Sequence, residues 1–420
     1  MKNIHLLYIG IDSHSKLQKA ALIPAATLQK GTKDLKKCEI LDIHNNISDF
    51  QLLHRTIRKY TRCTDEVIIG IDSCGIYTSP LAYYLKNQKY KVFYMEQNMS
   101  KASRGYIFGL ENKSDVIDAA RIAYLLYMKD VSGSLFNTTA LRLPDFDSRA
   151  NRLHSLVLHR QQYNKLITQL TNKLHVFLTG IFPEGEEKYF TQLLKILPKY
   201  PTPRDISRSR GMRKIKGIGI STEIEIKEIA RKTVGIPSED YRDLILNICK
   251  QREQAVVWRK EITDLMNEEV SEHPYGPILL SFPRLGIITA ATLIGTIGDI
   301  KRWSNDKKLK KAVGTYSSFQ QSGKYLSSSR KGTRGSRLSK SALYQVVILC
   351  LPDNAPENDF RDYYRRKVFR GKKKMTAIVA TMGKLTEIIY HCLKTGQPYV
   401  YQGIYKSRKG RYKKSELQVN

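Results

Sequence analysis

Two short apolar runs in the N-terminal part of the chain constrain its fold more than any other feature. "YIGID" ends on Asp12 and "IIGID" ends on Asp72. Both are too short for a buried helix and read as strands. The second, within "EVIIGIDS" (66–73), is almost wholly apolar, as expected of a strand buried on both faces. A carboxylate closing such a strand is ordinarily a turn residue. Two of them raise the question of whether further acids join them.

The surrounding pattern predicts strands at 6–12, 18–24 and 38–43, then a helix at 47–60. After the strand at 66–73, "SPLAYYLKNQ" reads as a helix and "YKVFYME" as a strand. "SDVIDAARIAYLLYMKD" reads as a helix opened by Ser114 as N-cap. The order βββαβαβα implies an α/β domain over 1–135, a mixed sheet with helices on its faces. Residues 136–148 read as a linker. Long amphipathic helices at 149–180 and 238–270, with a loopier Pro- and Gly-containing stretch between them, predict a helical region over 136–275. That region is either a coiled-coil or hairpin module or ordinary bundle helices. A mostly α region is expected over 276–400. In "LLSFPRLGIITAATLIGTIGDI", two short helices around Gly286 look like a helix-hairpin-helix, and "IKGIGISTEIEIKEIA" has a similar look. Residues 301–340 hold twelve Lys and Arg against one acid, Asp306, and read as a loop able to wrap a phosphate backbone. Residues 401–420 form a basic tail.

Charge narrows the partners. The chain has 71 Lys and Arg against 39 Asp and Glu, a net of +32, which points to a polyanion and foremost to nucleic acid. Six Cys without a C-x-x-C pair and nine His without H-x-x-x-H spacing argue against structural zinc and a disulfide framework. A reduced, cytoplasmic and nucleoid-associated setting is expected. No apolar run is long enough for a membrane span, so no membrane partner is expected.

Two further acids, Asp115 and Asp118, open the last helix of the α/β domain. Their i,i+3 spacing puts them on one face, about 5–6 Å apart at Cβ. Acids also favour helix N-termini for electrostatic reasons. Four acids at these element ends, however, repel unless a cation holds them. A set of hard oxygen donors suits Mg²⁺ or Mn²⁺. Two such ions can hold the attacking and leaving oxygens of an in-line phosphoryl transfer. A basic chain with an acidic centre reads as an enzyme acting on nucleic-acid backbones.

Three segments, "YIGIDSHSK", "IIGIDSCGIYTSPLAYYL" and "NKSDVIDAARIAYLL", resemble the motifs of the RuvC-like, RNase H-type domain of DEDD insertion-sequence transposases. That family is described as RNA-guided bridge recombinases. "LLSFPRLGIITAATLIGTIGDIKRW" is similar to its helix-hairpin-helix segment, and "AVGTYSSFQQSGK" to the stretch bearing its serine nucleophile. The resemblance runs from about residue 5 to 400. It implies that Asp12, Asp72, Asp115 and Asp118 are catalytic metal ligands and that Ser322 attacks a DNA phosphate. It also implies DNA and a structured guide RNA as partners, and a homo-oligomer, dimer or tetramer, whose acids and serines combine. The family's usual Glu is replaced by Asp72, one turn glycine by Arg284, and its later Gly-Asn and Leu-Arg by Gly335-Ser336 and Ser339-Lys340.

A serine hydroxyl is a weak nucleophile without help, and no His lies in its segment. Lys324, Arg330 and Arg334 are candidates to stabilise the phosphorane, and with Lys331, Arg337 and Lys340 to bind nucleic acid. Two alternatives stay open from the residues. One is a hydrolytic RuvC-like nuclease that needs no serine. The other is a degenerate copy that binds nucleic acid without activity.

Overall fold

The computed structural model describes residues 6–14, 16–31, 38–72, 75–95, 114–132, 141–142, 148–237, 239–316, 320–322, 325–327 and 335–403. At 75–76, 132, 141–142, 148, 320–322 and 325–327 the description is of the backbone. Two compact units result, residues 1–147 with 301–304, and residues 148–300 with 305–420.

In the first unit, β1 (Leu7–Ser13), β2 (Leu17–Pro24) and β3 (Glu39–His44) form an antiparallel meander. β4 (Val67–Asp72) lies parallel to β1 on its other side, β5 (Lys91–Met95) parallel to β4, and β6 (Leu141–Arg142) antiparallel at the edge. The sheet order is β3-β2-β1-β4-β5-β6. The expected α/β mixed sheet is therefore present. β6 falls on the segment read as a linker; a two-residue strand has no periodicity to read.

Alternation along β1 and β4 divides the side chains between two layers. Leu7, Ile9, Ile11, Val67, Ile69 and Ile71 pack with α2 (Ile47–Tyr60) and α3 (Ser79–Asn87) through Leu53, Ile57, Leu81 and Leu85. Tyr8 and Ile68 point the other way, into a layer with α1 (Ala25–Gln29) and α4 (Asp115–Ser132) through Leu28, Ala119, Ile122 and Leu126. Each such fully buried aliphatic side chain contributes about 1.5–3 kcal/mol. Helices on both faces explain why the strands read as apolar runs.

In the second unit, α5 (Ser148–Ile181) and α9 (Arg242–Glu272) lie antiparallel. Three hydrogen bonds set the register: Arg160 to Thr263 Oγ1, Arg259 to Asn164 Oδ1 and Arg252 to Thr171 Oγ1. The stretch expected to be loopier instead holds α6 (Pro183–Ile196), α7 (Pro203–Arg208) and α8 (Ile220–Lys232). Pro183 and Pro203 stand in the first turn of their helices, where a missing N–H costs no hydrogen bond. They mark helix starts within the stretch expected to be loopier. These helices close a core with the ends of α5 and α9, through Leu174, Leu178, Phe182, Leu193, Ile226 and Ile245.

α10 (Gly276–Leu280) and α11 (Ile287–Ile297) flank the turn at Arg284, which takes a left-handed φ of 59°. The region 301–340, read as a loop, contains α12 (Asp306–Ala312), capped by Asn305, and the hairpin β7 (Gln320–Ser322) and β8 (Tyr325–Ser327). Leu309 is fully buried, so one apolar residue anchors a basic helix. α13 (Arg337–Cys350), α14 (Asp359–Phe369) and α15 (Lys374–Thr395) complete the unit. Among the described residues, no helix is long and apolar enough to cross a membrane, and the described cysteines form no disulfide.

Candidate metal centre

Asp12 and Asp72 are brought side by side by strand register. β1 and β4 run parallel with Leu7 opposite Val67 and Ile11 opposite Ile71, and the next step aligns the two acids. Both carboxylates share the parity of Gly10 and Gly70, the face that α4 covers. At Gly10 an added Cβ would lie 2.0 Å from Ala119 O and 2.5 Å from Ala123 N. At Gly70 it would lie 2.8 Å from Leu126 Cδ1. These glycines let α4 lie close on the sheet, so its first turn, with Asp115 and Asp118, reaches the strand ends. The far end of α4 is tied to β1 by the Tyr8 hydroxyl, which donates to Asp130 Oδ2 at 2.8 Å.

Asp12 is 6% exposed, and its carboxyl is pushed up to about 6. Burial is the main cause. His14 opposes it, and the charges of Asp118, Asp72 and Asp115 add to it. The other three predicted acids thus each act electrostatically on Asp12. A buried carboxylate surrounded by three more is unstable as an anion cluster and suits a divalent cation. Asp12, His14 and Asp115 each offer one ligand atom, all within 4.8 Å of one another.

Two participants escaped the sequence reading. His14 follows β1 directly, with Nδ1 3.9 Å from Asp12 Oδ2 and Nε2 3.6 Å from Asp115 Oδ1. Its signal in the sequence is its place two residues after Asp12, which the H-x-x-x-H spacing does not capture. Arg121 pairs with Asp118 at 2.7 Å. Their i,i+3 spacing was readable on a helix, but the burial of both was not.

The remaining predicted residues lie in the second unit. Ser322 ends β7 and pairs with Tyr325 of β8. Lys324, Arg330, Lys331 and Arg334 lie outside the described residues. Arg337 and Lys340 stand in the first turn of α13, Arg337 exposed and Lys340 half-buried. Described residues before and after the hairpin are clamped together where Ser336 N–H donates to Ala312 O at 2.7 Å. Thr315 N–H donates back to Lys310 O at 2.9 Å. Gly314 and Gly335 both take left-handed φ, and the two backbones touch there.

An α/β sheet with clustered acids at its strand ends, in a chain of net charge +32, has the form of an enzyme for DNA strand transfer, and comparison with known proteins bears this out. Residues 9–183 match the DEDD transposase model of IS110, and residues 276–365 match the transposase model of the IS116/IS110/IS902 family. The chain is 24% identical over 304 residues to the insertion element IS110 uncharacterized 43.6 kDa protein of Streptomyces coelicolor, covering 69% of this chain and 72% of that one. It is 22% identical over 354 residues to the insertion element IS116 uncharacterized 44.8 kDa protein of Streptomyces clavuligerus, covering 81% and 85%. The protein is a DNA transposase. Within that class it belongs to the IS110/IS116/IS902 family of insertion-sequence transposases, in line with the motif resemblance.

Proposed function

We propose that this transposase cuts and exchanges DNA strands at a RuvC-like, RNase H-type centre in which Asp12, Asp72, Asp115 and Asp118 hold Mg²⁺ or Mn²⁺, with Ser322 as nucleophile and a structured RNA as guide. The observation that carries the reading is the crowding of three acids around the buried Asp12, whose carboxyl is pushed up to about 6. The β3-β2-β1-β4-β5 order, with three antiparallel strands followed by parallel ones, supports the fold assignment. The β1–β4 pairing runs to Ile11 opposite Ile71, one residue before each acid, which supports a role for the shorter Asp72 side chain beside Asp12.

Bound divalent ions would supply positive charge to the phosphoryl group under attack and to the leaving oxygen. The chain's own residues have separate tasks. The four carboxylates fix the position of that charge. Ser322 Oγ forms a bond to phosphorus as a sugar oxygen leaves with a proton, and a sugar hydroxyl of the exchanged strand later reverses the step. Phosphodiester and phosphoserine ester are exchanged one for one, so no cofactor is consumed. Lys324, between the two strands in the sequence, and Arg330, Lys331, Arg334, Arg337 and Lys340, which follow the hairpin, supply cations for the backbone. The helix pair around Arg284, as a helix-hairpin-helix, offers a further phosphate contact. Guide RNA, assembly into a dimer or tetramer and nucleoid association come from the family resemblance.

The test is covalent trapping. The protein is incubated with Mg²⁺, labelled element-end DNA and RNA transcribed from the element's flank, then denatured. A DNA–protein adduct lost in both Ser322→Ala and Asp12→Ala supports the reading. Cleavage without adduct that survives Ser322→Ala identifies a hydrolytic nuclease instead.

A further inference from the structure

We propose that His14 is a nitrogen ligand of the metal centre, sharing one ion with Asp12 and Asp115, and that it tilts the site toward a first-row transition ion such as Mn²⁺ over Mg²⁺. This rests on the metal reading above and adds a donor of a different chemical kind.

The geometry is specific to where β1 ends. Ser13 is buried and pairs with Gln18 of β2, and His14 is the next residue, with its ring half exposed. One ring nitrogen faces Asp12 and the other faces Asp115, which arrives from α4. The ring therefore bridges the sheet-borne and helix-borne acids. Donors on an ion at about 2.0–2.1 Å stand roughly 3 Å apart on neighbouring positions and about 4.2 Å apart on opposite ones. An imidazole gives one nitrogen to one ion, and one nitrogen of His14 with one oxygen each of Asp12 and Asp115 all lie within 4.8 Å of one another. The widest of these separations needs to close by only about half an ångström. A ring half in solvent can make that movement without disturbing the core.

The chemistry follows from the donor. A neutral imidazole adds a ligand without adding to the carboxylates' repulsion. Imidazole nitrogen suits first-row transition ions, whereas Mg²⁺ prefers oxygen and keeps its waters. The chain thus carries a device for metal preference that a centre of carboxylates alone would lack.

The experiment uses the full chain and Mn²⁺ alone, without nucleic acid. Electron spin-echo modulation of the bound Mn²⁺ reports a directly coordinated nitrogen, and titration reports affinity. The expected result is nitrogen modulation that disappears in both His14→Ala and His14→Gln. Mn²⁺ affinity should fall about tenfold or more, with a smaller change for Mg²⁺ measured by competition. Bound Mn²⁺ without nitrogen modulation, or modulation surviving both variants, overturns the role of His14 while leaving the carboxylate centre intact. Absence of Mn²⁺ binding, or binding indifferent to Asp12→Asn, overturns the metal reading itself and the proposal with it.

Discussion

Asp118 and Arg121 face each other across one turn of α4, Oδ1 to Nη2 2.7 Å, with side chains 6% and 2% exposed. One acid of the cluster thus has a cation supplied by its own helix. Removing one partner of a buried pair strands the other charge and costs about 3–5 kcal/mol. Arg121→Met is expected to lower stability by that amount in denaturant unfolding of the full chain. The double variant Asp118→Leu, Arg121→Met should recover much of the loss, because apolar groups then replace both members of the buried pair. A single-variant cost under about 1 kcal/mol would show that the pair does not hold this turn.

Gly10 and Gly70 occupy equivalent places in neighbouring strands but meet different atoms. A methyl at Gly10 runs into backbone of α4, whereas one at Gly70 meets only the side chains of Leu126 and Ile122. Gly10→Ala should therefore push α4 off the sheet and separate Asp115 and Asp118 from Asp12. A cost above the usual overpacking of about 1–3 kcal/mol is expected for Gly10→Ala, and a value within that range for Gly70→Ala. Paired unfolding curves and metal titrations check both.

Metal should stabilise the fold, because the four acids converge only when folded. Saturation at about a hundred times the dissociation constant is expected to add roughly 2.7 kcal/mol. Asp12→Asn should abolish the rise in melting temperature. A rise of equal size in Asp12→Asn would place the bound ion elsewhere.

At the hairpin base, Gly335 has φ +99°, and an added Cβ would lie 2.4 Å from Lys311 O. Gly371 has φ +78° with nothing within 4 Å. Gly371→Ala should cost only left-handed backbone strain, about 1–2 kcal/mol. Gly335→Ala should cost more and also reduce strand transfer, because it opens the clamp from which β7 and Ser322 extend. Equal losses of stability at the two sites would remove the clamp from consideration.

Lys310 joins α12 to α15, donating to Asp306 at 2.7 Å and to Glu387 at 2.9 Å. The hydrogen bond from Lys310 holds Asp306 below its ordinary 3.8. Burial would raise Glu387, but hydrogen bonds from Lys384 and Lys310 carry it below its ordinary 4.5. Burial would lower Lys310, yet its two carboxylates raise it above 10.5. Depressed acids stabilise the fold fully above their unfolded values and lose that contribution as pH falls through the folded ones. A raised lysine contributes fully below its unfolded value and loses this as pH rises through the folded one. The network should hold across neutral pH and weaken below about 4.5 and above about 10.5. Glu387→Gln should flatten part of the acid limb of a urea-midpoint profile; an unchanged limb would remove the network from the acid response.

Several of these features were legible in the residues. The apolar runs ending at Asp12 and Asp72 announced buried strands, and the spacing of Asp115 and Asp118 put two acids on one helix face. Periodicity and capping are local, so a short window of sequence carries them. Pro183 and Pro203 misled because the same residue opens a helix or breaks one, and which it does depends on where the first turn begins. The basic stretch 301–340 concealed a helix because a single buried leucine, Leu309, anchors it.

What the chain determined by itself, then, was the set of elements in the α/β domain, the acids at their ends and a charge suited to nucleic acid. Tertiary structure alone decided that β4 lies beside β1 in matching register, and that Gly10 admits α4 close enough to bring its acids to Asp12. It also decided that His14 bridges two acids and that Arg121 is buried against Asp118. Each of these depends on groups whose distance is set by packing between elements. A pattern along one strand or helix states which face is apolar, but not what that face will meet.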